Sequence, residues 1–370
     1  MSKKEYFIGL MSGTSIDAID SVLVSLDDNS IDVVCTHSEP IPFKVRQSIK
    51  ELCSPGFNAI NKMGALDTQL GRLFSDATLN LIGKSTVKKE QVVAIGTHGQ
   101  TVRHQPNNEF PFSIQIGDPN TIAAHTGLTT IADFRRKDIA HSGQGAPLAP
   151  SFHHFLLKDS VDDQWVLNIG GIANVTHIQN GILINGFDTG PGNLLLDAWC
   201  EKHTQQLFDH DGSWGKQGTI HIPLLDRLLE HDFFRLPTPK STGREQFNIE
   251  WLNKVIHDHQ ITASPEDIQA TLVELTAQTI SDSIQDNQSH PSNIYICGGG
   301  AYNSYLMTRL KSLCKSHNIR TTREIGIDPE WVEACAFAWL AQQRIQSKKV
   351  VLNLITGATK PAVLGAVYSN

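Results

Sequence analysis

With 370 residues, 40% hydrophobic and 19% charged, the chain has the composition of a soluble globular protein too long for one ordinary core, so two lobes are expected. A formal net charge of −7 argues against a duplex nucleic-acid partner, which usually leaves a basic footprint, and no apolar run reaches the roughly 20 residues that span a bilayer. Six scattered cysteines without a Cys-x-x-Cys pair argue against a zinc ribbon or a disulfide framework, and the sixteen histidines lack the His-Glu-x-x-His spacing of a metal centre.

The first residues, Met1 to Tyr6, lead into a strand without the apolar segment of a signal peptide, so a cytoplasmic address is expected. Residues 6–10, 18–24 and 31–35 read as three strands of a meander, with a turn rich in Gly, Ser and Thr between the first two. Backbone N–H groups and hydroxyls of Ser12, Gly13, Thr14 and Ser15 suit an anion, with Asp17 near enough to hold Mg²⁺ directly or through water; ordinary turn chemistry accounts for the same residues. Residues 44–89 are mostly helical, with Ile60, Met63, Leu66, Leu70, Leu73 and Phe74 recurring at three- and four-residue steps. A buried strand over 92–96 then delivers Thr97, His98, Gln100 and Arg103 at its end, where open α/β sheets place ligand contacts; the competing reading is a satisfied surface histidine. After a strand over 129–132, Arg135 and Arg136 suit a bidentate clamp for a carboxylate or phosphate, or a basic turn neutralised by Asp133 and Asp138. The glycine run at 143–147 reads as a loop between lobes, and the division is placed there, with lobes 1–145 and 146–370.

The opening pattern returns at 165–178, where the turn carries Gly170, Gly171 and, just beyond, Asn174; residues 181–185 supply the third strand. Two such meanders imply a duplicated domain whose hairpins face one phosphate chain. Next, residues 185–193 set Asp188 in a sharp glycine-rich turn between that strand and a helix, with Gly190 and Gly192 free to take positive φ. An aspartate there either serves a ligand or accepts turn amides. Residues 194–290 carry helices and polar loops; Asp209 to Gly212 lacks the later ligands of a calcium loop and reads as a turn, and 240–245 reads as an exposed polar loop that touches either nucleotide or simply solvent. A buried strand over 293–297 ends in Gly298, Gly299 and Gly300, a flat surface against which a nucleobase and sugar can lie. The buried helix over 329–340 holds Glu333, a charge that needs a partner or a ligand.

Taken together, Ile8-Gly9-Leu10-Met11-Ser12-Gly13-Thr14-Ser15, Gly96-Thr97-His98-Gly99-Gln100-Thr101, Ala132-Asp133-Phe134-Arg135-Arg136, Gly186-Phe187-Asp188-Thr189-Gly190-Pro191-Gly192-Asn193 and Cys297-Gly298-Gly299-Gly300 resemble the motifs of the anhydro-N-acetylmuramic acid kinases. The chain departs from that pattern at Ala18, where the family usually has glycine, and carries Leu10 where many members of the wider superfamily have aspartate. The resemblance implies an α/β chain with a duplicated actin-like/sugar-kinase ATPase fold, two lobes around a central cleft, and a chain end that packs back on the first lobe. It implies ATP and Mg²⁺ as cofactors and a coupled reaction in peptidoglycan recycling. In that reaction water opens the 1,6-anhydro bond while the 6-oxygen takes the γ-phosphate, giving N-acetylmuramic acid 6-phosphate. Asp188 matches the family's catalytic base. Ser12 to Ser15, Asp17, Gly170, Gly171, Asn174 and Gly298 to Gly300 are then expected on the nucleotide and its Mg²⁺; Thr97, His98, Gln100, Arg135, Arg136 and Glu333 are expected on the sugar. A homodimer is also implied, without nucleic-acid or membrane partners. Alternatives are a kinase of another sugar or small hydroxylated metabolite, or a non-catalytic actin-like ATPase, which would need polymer-forming surfaces or an appended peptide-binding domain.

Overall fold

The structure, a computed structural model, describes residues 4–285 and 291–370. Residues 1–3, which entered the reading of the N-terminus, and 286–290, the end of the expected helical stretch, lie outside it. The strands in chain order are β1 (Glu5–Met11), β2 (Ala18–Leu26), β3 (Ile31–Pro40), β4 (Val92–Thr97), β5 (Gln100–Gln105), β6 (Phe112–Ile116), β7 (Thr130–Ala132), β8 (Asp163–Ile169), β9 (Ile172–Gln179), β10 (Ile182–Pro191), β11 (Asn293–Cys297), β12 (Asn318–Thr321) and β13 (Ala366–Tyr368). Among the described residues no helix is long and apolar enough to cross a membrane, and all six cysteines are free thiols.

The chain divides into two compact units, Met1–Leu156 with Trp331–Asn370, and Leu157–Glu330. In the first unit the sheet order is β13-β7-β4-β1-β2-β3; in the second it is β10-β9-β8-β11-β12. Each sheet is built alike. An antiparallel meander (β1, β2, β3 or β8, β9, β10) continues from its first strand into two parallel strands (β4, β7 or β11, β12). The repeated meander followed by parallel strands is the duplicated α/β plan of the actin-like and sugar-kinase ATPases. The central strands are apolar on both faces, as parallel strands covered by helices require: Phe7, Ile8, Leu10, Ala94 and Ile95 in one sheet, Trp165, Leu167, Ile294 and Ile296 in the other.

The division differs from the one expected at 145/146. Helix Ala149–Leu157 stays almost entirely with the first unit, and the last forty residues rejoin it because helix Val332–Ile345 lies on β1 and β4 while β13 pairs with β7. The seat of that helix is written in two glycines. Gly9 and Gly96 are register partners in the β1/β4 pair, and a Cβ on either would overlap helix backbone, at the Ala334 carbonyl for Gly9 and the Phe337 carbonyl for Gly96. Only glycine lets backbone approach backbone this closely.

Helix Ala59–Lys84 packs Leu66, Leu70 and Phe74 into the first core, as their spacing predicts. Ile60 does not follow the pattern: it is 81% exposed, while its neighbours Ala59 and Met63 pack against the core.

Candidate active site

In the second unit Asp188 stands inside a strand rather than in a turn. β10 continues past Asn185 to Pro191, and the chain bends through a register shift between Asp188 and Gly190, where Gly190 takes φ +145°. Helix Asn193–Thr204 starts directly afterwards. Asp188 is buried and lies opposite Asn174 of β9, which lies opposite Asn168 of β8, so three polar residues form one row across the sheet face. The Asn174 Oδ1 is buried and makes no hydrogen bond among the described residues. An orphaned acceptor in this row is a place for a ligand, water or ion to complete the bonding. The segment 240–242 crosses the same row: the Asp188 N–H donates to the Lys240 carbonyl at 3.0 Å, and the Thr242 N–H donates to Asp188 Oδ2 at 2.9 Å.

Three glycine segments converge beside it. The N–H groups of Gly192 and Leu194 donate to Gly171 O, at 2.9 and 3.0 Å, and that of Asn193 to Gly170 O at 2.8 Å, tying the start of the helix to the β8–β9 turn. A side chain at Gly192 would overlap Gly170 O, and one at Gly300 would overlap Ile169. Gly298, at φ +80°, is held by its N–H on Pro329 O at 2.9 Å. Gly170, Gly171, Asn174 and Gly298 to Gly300 therefore share one neighbourhood with Asp188, built entirely within the second unit.

In the first unit the loop after β1 presents Thr14, Ser15 and Asp17 to solvent, with Gly13 half-buried. Between them Ile16 is buried at φ +57°. A β-branched residue rarely takes this conformation, at a cost of order 1–3 kcal/mol. Its side chain in the core offsets that cost and fixes the loop. Ser12, also buried, donates to Gln100 Oε1 at 2.6 Å, and the His98 N–H donates to Leu10 O at 3.0 Å, so the end of β4 is stitched to the end of β1.

Arg135 reaches the same place. Its Nε and Nη2 lie 3.3 and 2.8 Å from His98 Nε2, and its Nη1 donates to Gly145 O at 2.7 Å. An acceptor at Nε2 requires a neutral imidazole protonated on Nδ1. Consistently, burial and then the Arg135 charge push His98 down to about 3, against smaller upward pulls from the backbone at Gly99 and Ser12. The glycine run 143–147 is pinned further by buried Asp138, which accepts from the Gly145 N–H at 2.8 Å and Thr356 Oγ1 at 2.9 Å. The run is thus a braced loop inside the first unit rather than a connection between units. Arg136 turns the other way: it is exposed, pairs through Nε with Asp133 at 3.1 Å, and borders a cavity of about 500 Å³ shared with Thr97, His98, Gln115 and Tyr368. The two arginines do not converge on one point. Glu333 stands half-buried in the first turn of helix Val332–Ile345.

A family model described as anhydro-N-acetylmuramic acid kinase matches residues 5–370. The chain belongs to the anhydro-N-acetylmuramic acid kinase family. It is similar to the anhydro-N-acetylmuramic acid kinase of Coxiella burnetii (strain RSA 493 / Nine Mile phase I), 49% identical over 367 residues that cover 99% of this chain and 98% of the relative. It is also similar to that of Shewanella pealeana (strain ATCC 700345 / ANG-SQ1), 48% identical over 364 residues covering 98% of each. Among solved structures it resembles the Acidaminococcus fermentans (R)-2-hydroxyglutaryl-CoA dehydratase component A, with TM-score 0.48 and 13% identity over 90% of this chain and 96% of that one.

Among the described residues no group of three or more His, Cys, Asp or Glu side chains is placed to hold a metal ion. Exposed Asp17, with Ser15 Oγ hydrogen-bonded to it, fits Mg²⁺ in another manner, since this ion keeps several waters and is commonly held by one carboxylate plus substrate phosphates. Two features of the site were not visible in the sequence. Lys240 to Thr242 lies more than fifty residues from Asp188 and carries no motif, and the constraint at Ile16 has no sequence signal, because isoleucine is not a residue expected at positive φ.

Proposed function

We propose that this chain phosphorylates the 6-oxygen of 1,6-anhydro-N-acetylmuramic acid with ATP while water opens the anhydro ring. The observation that carries this reading is the family match from residue 5 to 370, joined to a buried aspartate whose carboxylate is already aimed by a backbone amide. Asp188 acts as general base on a water that attacks the anomeric carbon; the bond from that carbon to the 6-oxygen breaks, and its electron pair goes to the oxygen, which takes the γ-phosphoryl group as ADP leaves. The anhydro oxygen has no proton to lose, so the base serves the water. The products are N-acetylmuramic acid 6-phosphate and ADP.

Phosphoryl transfer asks mainly for positioning and for neutralisation of charge. Ser12, Gly13, Thr14 and Ser15 of the first unit and Gly170, Gly171 and Asn174 of the second supply amides and hydroxyls for the phosphates. Mg²⁺, held by Asp17 directly or through water, supplies the positive charge. Gly298 to Gly300 take the nucleoside. Thr97, His98, Gln100, Arg136 and Glu333 meet the sugar, with Arg135 behind them. The same reading places the enzyme in the cytoplasm as a homodimer, serving peptidoglycan recycling.

The test is incubation with ATP, Mg²⁺ and the anhydro sugar in ¹⁸O-labelled water, with Asp188→Asn in parallel. A 6-phosphate sugar carrying one labelled oxygen, absent with the variant, is expected. Transfer without label, or only to a sugar with a free hydroxyl, would replace this reading by that of an ordinary sugar kinase.

A further inference from the structure

The strongest unassigned feature is the segment that crosses Asp188. It reaches the aspartate from both sides, through the Lys240 carbonyl and the Thr242 amide, yet by its sequence it is an exposed polar loop with nothing to hold it in place. What holds it is the half-buried Lys240 side chain. Its ammonium donates to the carbonyls of Phe233 and Phe234 at 3.2 and 3.3 Å and lies 4.7 Å from the centre of the Phe233 ring, itself buried in the core of the unit. The cost of taking this cation partly out of water is offset by the two carbonyls and the ring. Burial lowers the Lys240 ammonium from its usual range, and the Asp188 charge raises it, so lysine and aspartate feel one another.

We propose that Lys240 is a positioning residue for Asp188: it anchors segment 240–242 so that the Thr242 amide fixes Oδ2 of the base, and its positive charge favours the carboxylate form. This rests on the reading of Asp188 as general base. Next to the aspartate β9 contributes Asn174, and helix Pro265–Gln285 contributes Thr276 and Thr279 around Pro191 and Gly190. The other charged groups of the loop are Arg244 and Glu245. The Thr242 amide on one carboxylate oxygen sets the direction of the group.

The experiment is kcat and KM against pH for the wild type, Lys240→Gln and Lys240→Met. Glutamine keeps a donor for the two carbonyls but loses the charge; methionine loses both. With glutamine the acid limb of kcat is expected to move to higher pH by about one unit, because the base is then protonated more readily. With methionine the same shift is expected, together with a fall in kcat of about tenfold at the plateau, while KM for ATP and for the sugar stays within about twofold. Lys240→Arg should restore the limb. If Lys240→Met does not fold, the glutamine variant still decides the question. An acid limb unmoved in every variant, or a rise in KM as large as the fall in kcat, overturns the proposal. If Asp188→Asn itself keeps full activity, it is the reading of the base that fails, and the two failures are told apart.

Discussion

At the scale of single residues the two adjacent arginines have parted company. Arg135 gives Nε, Nη1 and Nη2 to His98 and Gly145, so its loss would leave the buried ring nitrogen only the longer 3.5 Å contact with Thr101 Oγ1, a cost of roughly 1–3 kcal/mol. Arg136 is exposed and spends one nitrogen on Asp133. Arg135→Ala is therefore expected to lower the melting temperature and kcat together. Arg136→Ala should leave the melting temperature unchanged and raise KM for the anhydro sugar by about tenfold, with little effect on an analogue lacking the lactyl carboxylate. Equal effects of Arg136→Ala on both sugars would show that this guanidinium does not read the carboxylate. The pair Arg135-Arg136 was legible as a cluster of positive charge, but not its division, since direction is set by the buried histidine at a distance of thirty-seven positions.

Histidine burial also has a consequence for stability. His98 and His153 are both held down to about 3 by burial, against an ordinary value of 6.5. Each is neutral when folded and takes a proton when unfolded, so stability is fully present above about pH 6.5 and is lost as pH falls from there toward 3. The slope is roughly 1.4 kcal/mol per pH unit per histidine inside that window. Urea midpoints measured between pH 7 and 4.5 should fall with acid, and His153→Asn should flatten the fall even if it lowers the midpoint at pH 7. An unchanged slope would mean that His153 is not the source.

At the scale of elements the decisive contact is a helix lying on two strands through paired glycines. A methyl group at Gly9 or Gly96 has nowhere to go, because its neighbour is backbone rather than a movable side chain. Gly9→Ala and Gly96→Ala are each expected to cost about 3 kcal/mol or more, the upper range for overpacking. Gly83→Ala makes the control: it lies in helix Ala59–Lys84 with nothing within 4 Å of an added Cβ, and should stabilise by about 0.5–1 kcal/mol. Denaturant unfolding of the three variants checks both signs. Strand and helix periodicity made these elements readable, including the buried run of β4 and the apolar stripe at Leu66, Leu70 and Phe74. Their ends were less so. β10 outruns its apolar core because a bulge lets Asp188 to Pro191 keep pairing with β9, and a bulge is a property of two strands rather than of one segment.

For the whole molecule, the duplication was legible because a meander announces itself locally, by short strands separated by glycine turns. The return of the chain end to the first unit was expected only through the family resemblance, since pairing of β13 with β7 joins positions more than 230 residues apart and leaves no local trace. The outcome is a first unit made of two separate stretches with the second unit's residues, 157–330, lying between them in the chain. Synthesis must meet this arrangement in order. The ribosome releases β1 at the outset, but the glycine notch on it stays unfilled until helix Val332–Ile345 has emerged, while all of 157–330 is already available to fold. The half of the enzyme that is begun first is finished last, and in the interval its central strands are bare apolar backbone that the nascent chain must keep from other partners.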